Sequence, residues 1–491
     1  MRTTLFDSLV LTITEIGNGS GRTRGAGIDA LRRWCPESIS RARSNSNQIA
    51  KLGTIPMWIT SHAREQIHSA CRTYLRMPDG GPRRSRLMTS VFTFKYLPLV
   101  LTGIFALSSA SNLSTSAPAA NAGFRIVYLS KQYSERLPLS QAEKISLNNG
   151  IQGARIGLID DNVAAHLLGR EFELVAAVDQ SDPVIKARSM LSGNTLVIAD
   201  LEASDLLAVA DLPEARNAMI LDARTSNDSL RQEQCRENVF HIAPSWSMRA
   251  DALAQYLFRK HWREWVLVRG NNPADVGFAN AIKRAAARFR GHIVAERVYE
   301  VEAGSRHATA GHQLVQQRLP ILTAGLPDHD VVFVVDTGET FGDYLPYNTS
   351  NARPVVGTHG LAAVAWHPSF AEYSASNLQN RFERRVGRDM TERDYTAWLG
   401  VRVLGEAAIR TASADAHVLY PYVLSDQFAI AGYKGIGMTS RHWDLQLRQP
   451  ILLSGPRSLV SISPQDGFIH PRFSTDTLGF DEAETKCRLA L

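Results

Sequence analysis

The 491-residue sequence is short of several things, and each shortage narrows its chemistry. Only four cysteines are present, Cys35, Cys71, Cys235 and Cys487, and none forms a CxxC pair, so a zinc ribbon and a dithiol redox motif are excluded. No apolar run reaches the ~20 residues that a membrane helix needs. The apolar run Tyr96 to Leu107 carries no charge but is interrupted by Pro98 and Gly103. GxxxxGK[ST], HExxH and GxSxG are all missing, which removes P-loop NTPases, zincins and nucleophile-elbow hydrolases of those types. No cofactor motif and no metal-ligand spacing stands out, so the expectation is a non-catalytic protein without a cofactor or a metal.

Positive charge is also scarce where a nucleic-acid binder would need it. The formal charge is +6, but residues 1–87 hold 14 of the 54 Lys/Arg and 6 of the 48 Asp/Glu. The remainder carries 40 basic against 42 acidic residues, and a DNA footprint belongs on the folded domain. No nucleic-acid partner is expected.

What is present begins with an export signal in an unusual place. From Met88 the chain runs MTSVFTFKYLPLVLTGIFALSSASNLSTSAPAANA: one lysine, Lys95, a short apolar middle, then small residues ending Ala120-Asn121-Ala122. That order is a secretory signal peptide with an Ala-x-Ala-like cleavage site over 88–122. Residues 1–87 are rich in Gly, Ser and Arg and read as a poorly structured basic extension. Translation starting at Met88 would put the signal at the N-terminus. The alternative, an extended leader using Arg83-Arg84 as a twin-arginine signal, is opposed by Arg86 in RRSRLM. Export implies the periplasm, where Cys235 and Cys487 are either one disulfide or two free thiols.

After Gly123 short Val/Ile/Leu runs alternate with helical patterns. RIVYLS, FELVAAV, TLVIAD, AMILDA, WVLVRG, HIVAERVY, DVVFVVDTG and RPVVGT read as strands buried on both faces. SDPVIKARSML, SWSMRADALAQYLFRKHW, NPADVGFANAIKRAAARF and TERDYTAWLGVRVLGEAAIRTA carry apolar residues at helical spacing, the last opening with a capping-box-like Thr391 and Asp394. The alternation predicts an α/β fold of two doubly wound, Rossmann-like lobes. Aspartates at strand ends, Asp161 after RIGLI, Asp200, Asp222 and Asp336, are candidates to face a cleft, against the plainer role of capping the next turn.

HIAPSWSMRADALAQYL followed by WREWVLVRG and HIVAERVY resembles the type I periplasmic binding proteins of the leucine/isoleucine/valine-binding family, with Pro244-Ser245 at the crossing between lobes. The C-terminal WDLQLRQPILL (Trp443 to Leu453) and DTLG (Asp476 to Gly479) resemble the ABC-transporter substrate-binding subfamily that accompanies pyrroloquinoline-quinone (PQQ)-dependent alcohol dehydrogenase systems. The resemblance covers residues 124–488. It implies lobe 1 at 123–243 plus 357–441, lobe 2 at 244–356 plus 442–491, and three crossings between them. It also implies a monomeric periplasmic protein that traps a small organic ligand and delivers it to an inner-membrane ABC permease. The runner-up role is an accessory or sensory protein of the quinoprotein system with a degenerate cleft.

Carried onto this chain, the ligand-binding positions implied are Asp161, Glu202, Ser204, Ala223, Thr225, Ser226, Asp275, Asp336, Thr358 and His359. The hydroxyls that hold an amino-acid carboxylate in the family are thinned here to Ser204 beside Glu202. NNPADVG, with Asp275, stands where the facing aromatic is usual. An anionic head group is therefore expected to meet extra carboxylates. A Cys235–Cys487 bond would tie the C-terminal tail to the end of lobe 1.

Overall fold

The computed structural model describes residues 123–133, 146, 148–167, 169–179, 182–191, 195–300 and 311–489. The basic extension and the signal segment lie outside these residues. The Val/Ile/Leu runs form the strands of two sheets, because strands without a polar face are stable only when both faces are covered.

In the first sheet β1 (Phe124–Lys131), β2 (Phe172–Asp179), β3 (Leu196–Asp200), β4 (Met219–Asp222) and β5 (Val239–His241) are all parallel, in the order β2-β1-β3-β4-β5. The second sheet holds β6 (Glu264–Arg269), β7 (His292–Val298), β8 (Val331–Val335), β9 (Val355–Gly357) and β10 (Leu361–Val364), paired in parallel. After a small ribbon, β11 (Ile430–Ala431) with β12 (Gly437–Met438), the strands β13 (Ile451–Ser454) and β14 (Leu459–Ser463) add an antiparallel edge. The order is β14-β13-β10-β9-β8-β6-β7. The α/β fold of two parallel-sheet lobes is as expected.

Nine helices are found among the described residues: α1 (Ile151–Leu167), α2 (Pro183–Met190), α3 (Ala203–Ala210), α4 (Trp246–Arg259), α5 (Pro273–Arg288), α6 (Gly311–Leu322), α7 (Ala375–Val386), α8 (Glu392–Thr411) and α9 (Ala416–Leu424). The capping box at α8 is present: Asp394 N–H donates to Thr391 Oγ1 at 3.2 Å and Thr391 N–H to Asp394 Oδ2 at 3.0 Å. Asp394 also accepts from Gly150 N–H at 2.8 Å, so one carboxylate anchors the starts of both α8 and α1. Gly153 and Gly157 let α1 lie directly on α8, since a Cβ at either would strike the backbone of Asp394 or Trp398.

That packing corrects one expectation. RIGLIDD is not a strand with aspartates at its end but the middle of α1, and Asp161 is fully buried against Arg402 of α8. Burial pushes its carboxyl up to about 7 in spite of Arg402. Asp161 is absent from the cleft described below.

The lobe borders also move. Gly357 ends β9 and Leu361–Val364 continues the second sheet, so the return crossing falls after Val364 instead of at 357. Residues 445–447 still hydrogen-bond to β5 of the first sheet (His241 N–H to Leu445 O, Leu447 N–H to His241 O, both 2.9 Å), so the last crossing lies near 448–451 instead of at 441.

The crossings at 243–245, 364–366 and 448–451 are stitched together by buried polar groups. Gln449 Nε2 donates to Ile242 O at 2.6 Å, and Lys434 Nζ donates to Gln449 Oε1 and Pro450 O, both at 2.9 Å. Arg249 Nη1 donates to Ala363 O at 2.7 Å and Nη2 to Glu392 Oε1 at 2.6 Å, which also accepts from Ala365 N–H at 2.7 Å. Burial pulls Lys434 down to about 7. A lysine whose folded pKa is depressed loses stability as pH falls from its unfolded value toward its folded one. Relative to Lys434→Met, the native chain should therefore gain about 1 kcal/mol between pH 7.5 and 8.5, near the one-proton limit of 1.36 per pH unit. Parallel denaturation curves for the two proteins across this window would disprove the assignment.

Candidate ligand cleft between the lobes

Strands of both sheets end at one cleft of about 1250 Å³. In open parallel sheets this is where ligands bind, because the loops beyond the strand ends lead into helix N-termini with free backbone donors. Here the starts of α3 (Ala203, Ser204), α4 (Trp246), α5 (Pro273, Ala274) and α8 (Glu392, Arg393) all open onto it.

On the first lobe the β3–α3 turn supplies Glu202, which occupies the cap position of α3 without a side-chain cap bond, and the exposed Ser204. The β4 loop supplies Ala223, Thr225 and Ser226. This loop is shaped by Asp222, whose Oδ1 accepts from the N–H groups of Arg224 and Thr225 at 3.0 and 2.9 Å. Ala223 O accepts from Thr396 Oγ1 of α8, and Thr225 Oγ1 from Asn227 N–H at 3.2 Å.

On the second lobe Asn272 caps α5, accepting from Asp275 N–H at 2.8 Å, and Pro273 occupies its first turn. Trp246 and Phe278 stack with centroids 4.5 Å apart, and Gly277 beside them has nothing within 4 Å of where a Cβ would stand. Thr358 and His359 follow β9: Thr358 Oγ1 accepts from Asp336 N–H at 3.0 Å and lies 2.9 Å from His359 Nδ1.

Eight of the ten residues singled out from sequence therefore line the cleft: Glu202, Ser204, Ala223, Thr225, Ser226, Asp336, Thr358 and His359. Asp161 lies in α1, and Asp275 sits behind the lining, nearly fully buried. Asp275 Oδ1 accepts from Thr337 N–H and Oγ1, both at 2.7 Å. Asp336 Oδ2 accepts from the N–H groups of Phe341 and Gly342 at 2.6 and 2.7 Å, and its Oδ1 from Thr340 Oγ1 at 2.9 Å.

The two aspartates thus spend their oxygens on loop donors, while Glu202, Glu339 and Glu392 share the lining with Arg224, Arg249 and Arg393. Sequence reasoning missed Arg224, Arg249, Arg393, Trp246 and Phe278, all in the lining. The disulfide is present, Cys235 to Cys487, with Cα atoms 5.6 Å apart.

A family described as periplasmic binding protein matches residues 138–419, more than half of the chain. No curated protein matches it. Among solved structures, a branched-chain amino acid ABC transporter periplasmic ligand-binding protein from Burkholderia xenovorans is 12% identical, covers 74% of this chain and 98% of its own, and has a TM-score of 0.57. A leucine-, isoleucine-, valine-, threonine- and alanine-binding protein from Brucella ovis in its closed conformation is 14% identical, with the same coverage and TM-score. An R. palustris ABC-transporter solute-binding protein in complex with benzoate is 10% identical, covers 75% of this chain and all of its own, and has a TM-score of 0.51. The likeness in fold agrees with the family match over the two lobes, and on that match the chain belongs to the type I periplasmic binding proteins.

Proposed function

We propose that the protein is the periplasmic solute-binding component of an ABC transporter, exported by the segment that starts near Met88, and that it closes its two lobes around a small organic molecule. The observation that carries this reading is the cleft: it is walled by strand-end loops of both sheets, and among the described residues the covalent joints beside it are the three crossings and the disulfide strap. Hinge closure on a ligand needs that layout. Structurally similar proteins with leucine or benzoate bound carry the same role to this chain by analogy.

The narrower reading, a ligand linked to PQQ-dependent alcohol oxidation, is supported by the WDLQLRQPILL and DTLG stretches alone. These residues pack at the last crossing and line none of the cleft, so they speak to kinship and not to ligand chemistry.

Closure predicts a measurable compaction. Small-angle scattering of the purified protein titrated with short carboxylic acids, amino acids, alcohols and aldehydes should show a saturable fall in radius of gyration with at least one compound, together with a rise in melting temperature. Binding to the native state alone raises stability by about 2.7 kcal/mol at a hundredfold excess over Kd. Flat scattering and flat melting across the whole panel would reject the solute-binding reading.

A further inference from the structure

The cleft of the first lobe holds two guanidinium groups on a single buried carboxylate. Asp200, at the end of β3, is 1% exposed, and its Oδ2 accepts from Tyr128 Oη at 2.9 Å and Ser130 Oγ at 3.3 Å. Its Oδ1 accepts from Arg224 Nη1 at 3.2 Å, while Arg393 Nε stands 3.9 Å from the same atom. Arg224 is further fixed by lying over the Tyr133 ring at 4.5 Å. Among the described residues the Arg393 guanidinium donates no hydrogen bond, although it lines the cleft and only 30% of its side chain is exposed.

A guanidinium carries five N–H donors in a planar fork that matches carboxylate geometry, and a partly desolvated one without acceptors is costly. None of the other carboxylates that line the cleft, Glu202, Asp336, Glu339 and Glu392, forms an ion pair with Arg393. Asp336 is saturated by three donors, and Glu392 is engaged by Arg249 and Ala365 N–H. Glu202 is 3.8 Å from Arg224 Nη2 with over half its side chain in solvent, where water screens it. Two cations thus share one buried anion, and the spare donors point to an acceptor from outside. Across the cleft, the second lobe offers the half-buried ring of Trp246, backed by the buried Phe278 ring stacked on it and beside Gly277, an apolar surface.

We propose that the ligand is an organic anion, a carboxylate or a group of like geometry, whose charged end lies between Arg224 and Arg393 and whose apolar body rests on the Trp246–Phe278 stack. The proposal rests on the reading of this cleft as a solute site and names the class of solute. In the closed cleft the ligand's oxygens take the donors that Asp200 leaves unused, so closure and charge recognition are one event.

The test uses sets of compounds that share one body: phenylacetate, phenylacetamide, 2-phenylethanol and phenylalanine, and the matching series built on hexanoate. Calorimetric titration of the mature protein should show a carboxylate of one series binding at least about 30-fold tighter than its amide or alcohol. Arg393→Gln should weaken that carboxylate by about 10- to 100-fold and the amide by less than about 10-fold, because the carboxylate alone loses a charge-assisted bond. Its ligand-free melting temperature should match the parent's, which separates a binding defect from misfolding. Arg224→Gln should act in the same direction. Amides or alcohols binding as tightly as the acids, or an Arg393→Gln protein with parental affinity for the acid, would overturn the anion assignment and leave solute binding standing. Silence of both series in every arm would overturn the two together.

Discussion

Replacing Asp222 with alanine should lower the unfolding free energy by about 3–5 kcal/mol, the cost of leaving a buried charge without its partner. Asp222 is fully buried at the end of β4 and holds four donors or ring atoms around one carboxylate. Arg224 N–H and Thr225 N–H reach Oδ1, Arg231 Nη2 lies 3.4 Å from Oδ2, and His241 Nδ1 lies 2.9 Å from the same oxygen. Arg231 is itself 1% exposed and is held in the interior by the carbonyls of Thr225, Asn227 and Ala243 as well as by Gln446 Oε1. Deleting the carboxylate leaves the guanidinium with carbonyls but no carboxylate in direct contact, Asp228 and Asp444 acting on it only from farther off, and two loop amides with no acceptor.

Asp222→Asn should cost less, since its amide oxygen can still accept from the two loop N–H groups. The two variants together therefore separate charge from shape. Urea denaturation followed by circular dichroism reads both, and a loss below about 1 kcal/mol for the alanine variant would show that the network is not what holds this loop. Because the same loop carries Ala223, Thr225 and Ser226 into the cleft, the alanine variant should also lose affinity for any ligand that the native protein binds.

The contrast between Asp222 and the residues beside it shows how far the sequence could be read. Strands buried on both faces announce themselves as Val/Ile/Leu runs, and all eight expected runs are strands. The eight runs do not include β5, β10, β13 and β14, which are further strands of the two sheets. In α1, the apolar RIGLI mimics a strand because its glycines serve close packing on α8, a property of the partner helix that no local pattern reveals.

The site residues divide along the same line. A strand-end position tells that Glu202, Ser204, Thr225, Asp336 and Thr358 reach the cleft, since that follows from the sheet rule alone. It does not tell which carboxylates are already satisfied: Asp275 and Asp336 look like free charges until the loops that donate to them are folded. Arg224 and Arg393 meet at Asp200 only because β4 and α8 converge there, from the two separate chain segments that build lobe 1. One signal was available for Arg393. The capping box at Thr391 fixes it in the first turn of a helix, and helix starts in this fold face the cleft. The polar WDLQLRQ stretch carried the resemblance for a structural reason, since Asp444, Gln446, Arg448 and Gln449 are all nearly fully buried and tie the last crossing to its neighbours.

Removing the disulfide by Cys235→Ser together with Cys487→Ser should cost about 2–4 kcal/mol and should widen the ligand-free protein. The stability loss follows from chain entropy: the bond closes a loop between residues 252 apart in sequence, so it restrains a large part of the unfolded chain. The widening follows from where the tail is held. Leu478 is buried in the core of the second lobe, Gly479 O accepts from Arg284 Nη2 at 2.9 Å and Arg288 Nη1 at 2.7 Å, and Glu484 pairs with Arg284 at 2.7 Å. Beyond that anchor the tail passes to the first lobe, where Lys486 N–H donates to Gln232 Oε1 at 2.9 Å and Cys487 bonds Cys235 in the β4–β5 connection. The strap thus adds a fourth tie between lobes otherwise joined by three crossings, and it fastens beside Gln234 at the cleft.

Without the covalent tie, that end of the tail is held by Gln232, by the partly buried Leu489 packed on the first-lobe core, and by the exposed Lys486–Glu233 pair at 3.2 Å, and an exposed pair is worth ~0–1 kcal/mol. Scattering from the serine double variant should give a larger radius of gyration in the absence of ligand, and dithiothreitol should produce the same change in the native protein and none in the variant. Equal radii with and without the bond would mean that the strap stabilises the fold without limiting how far the lobes part.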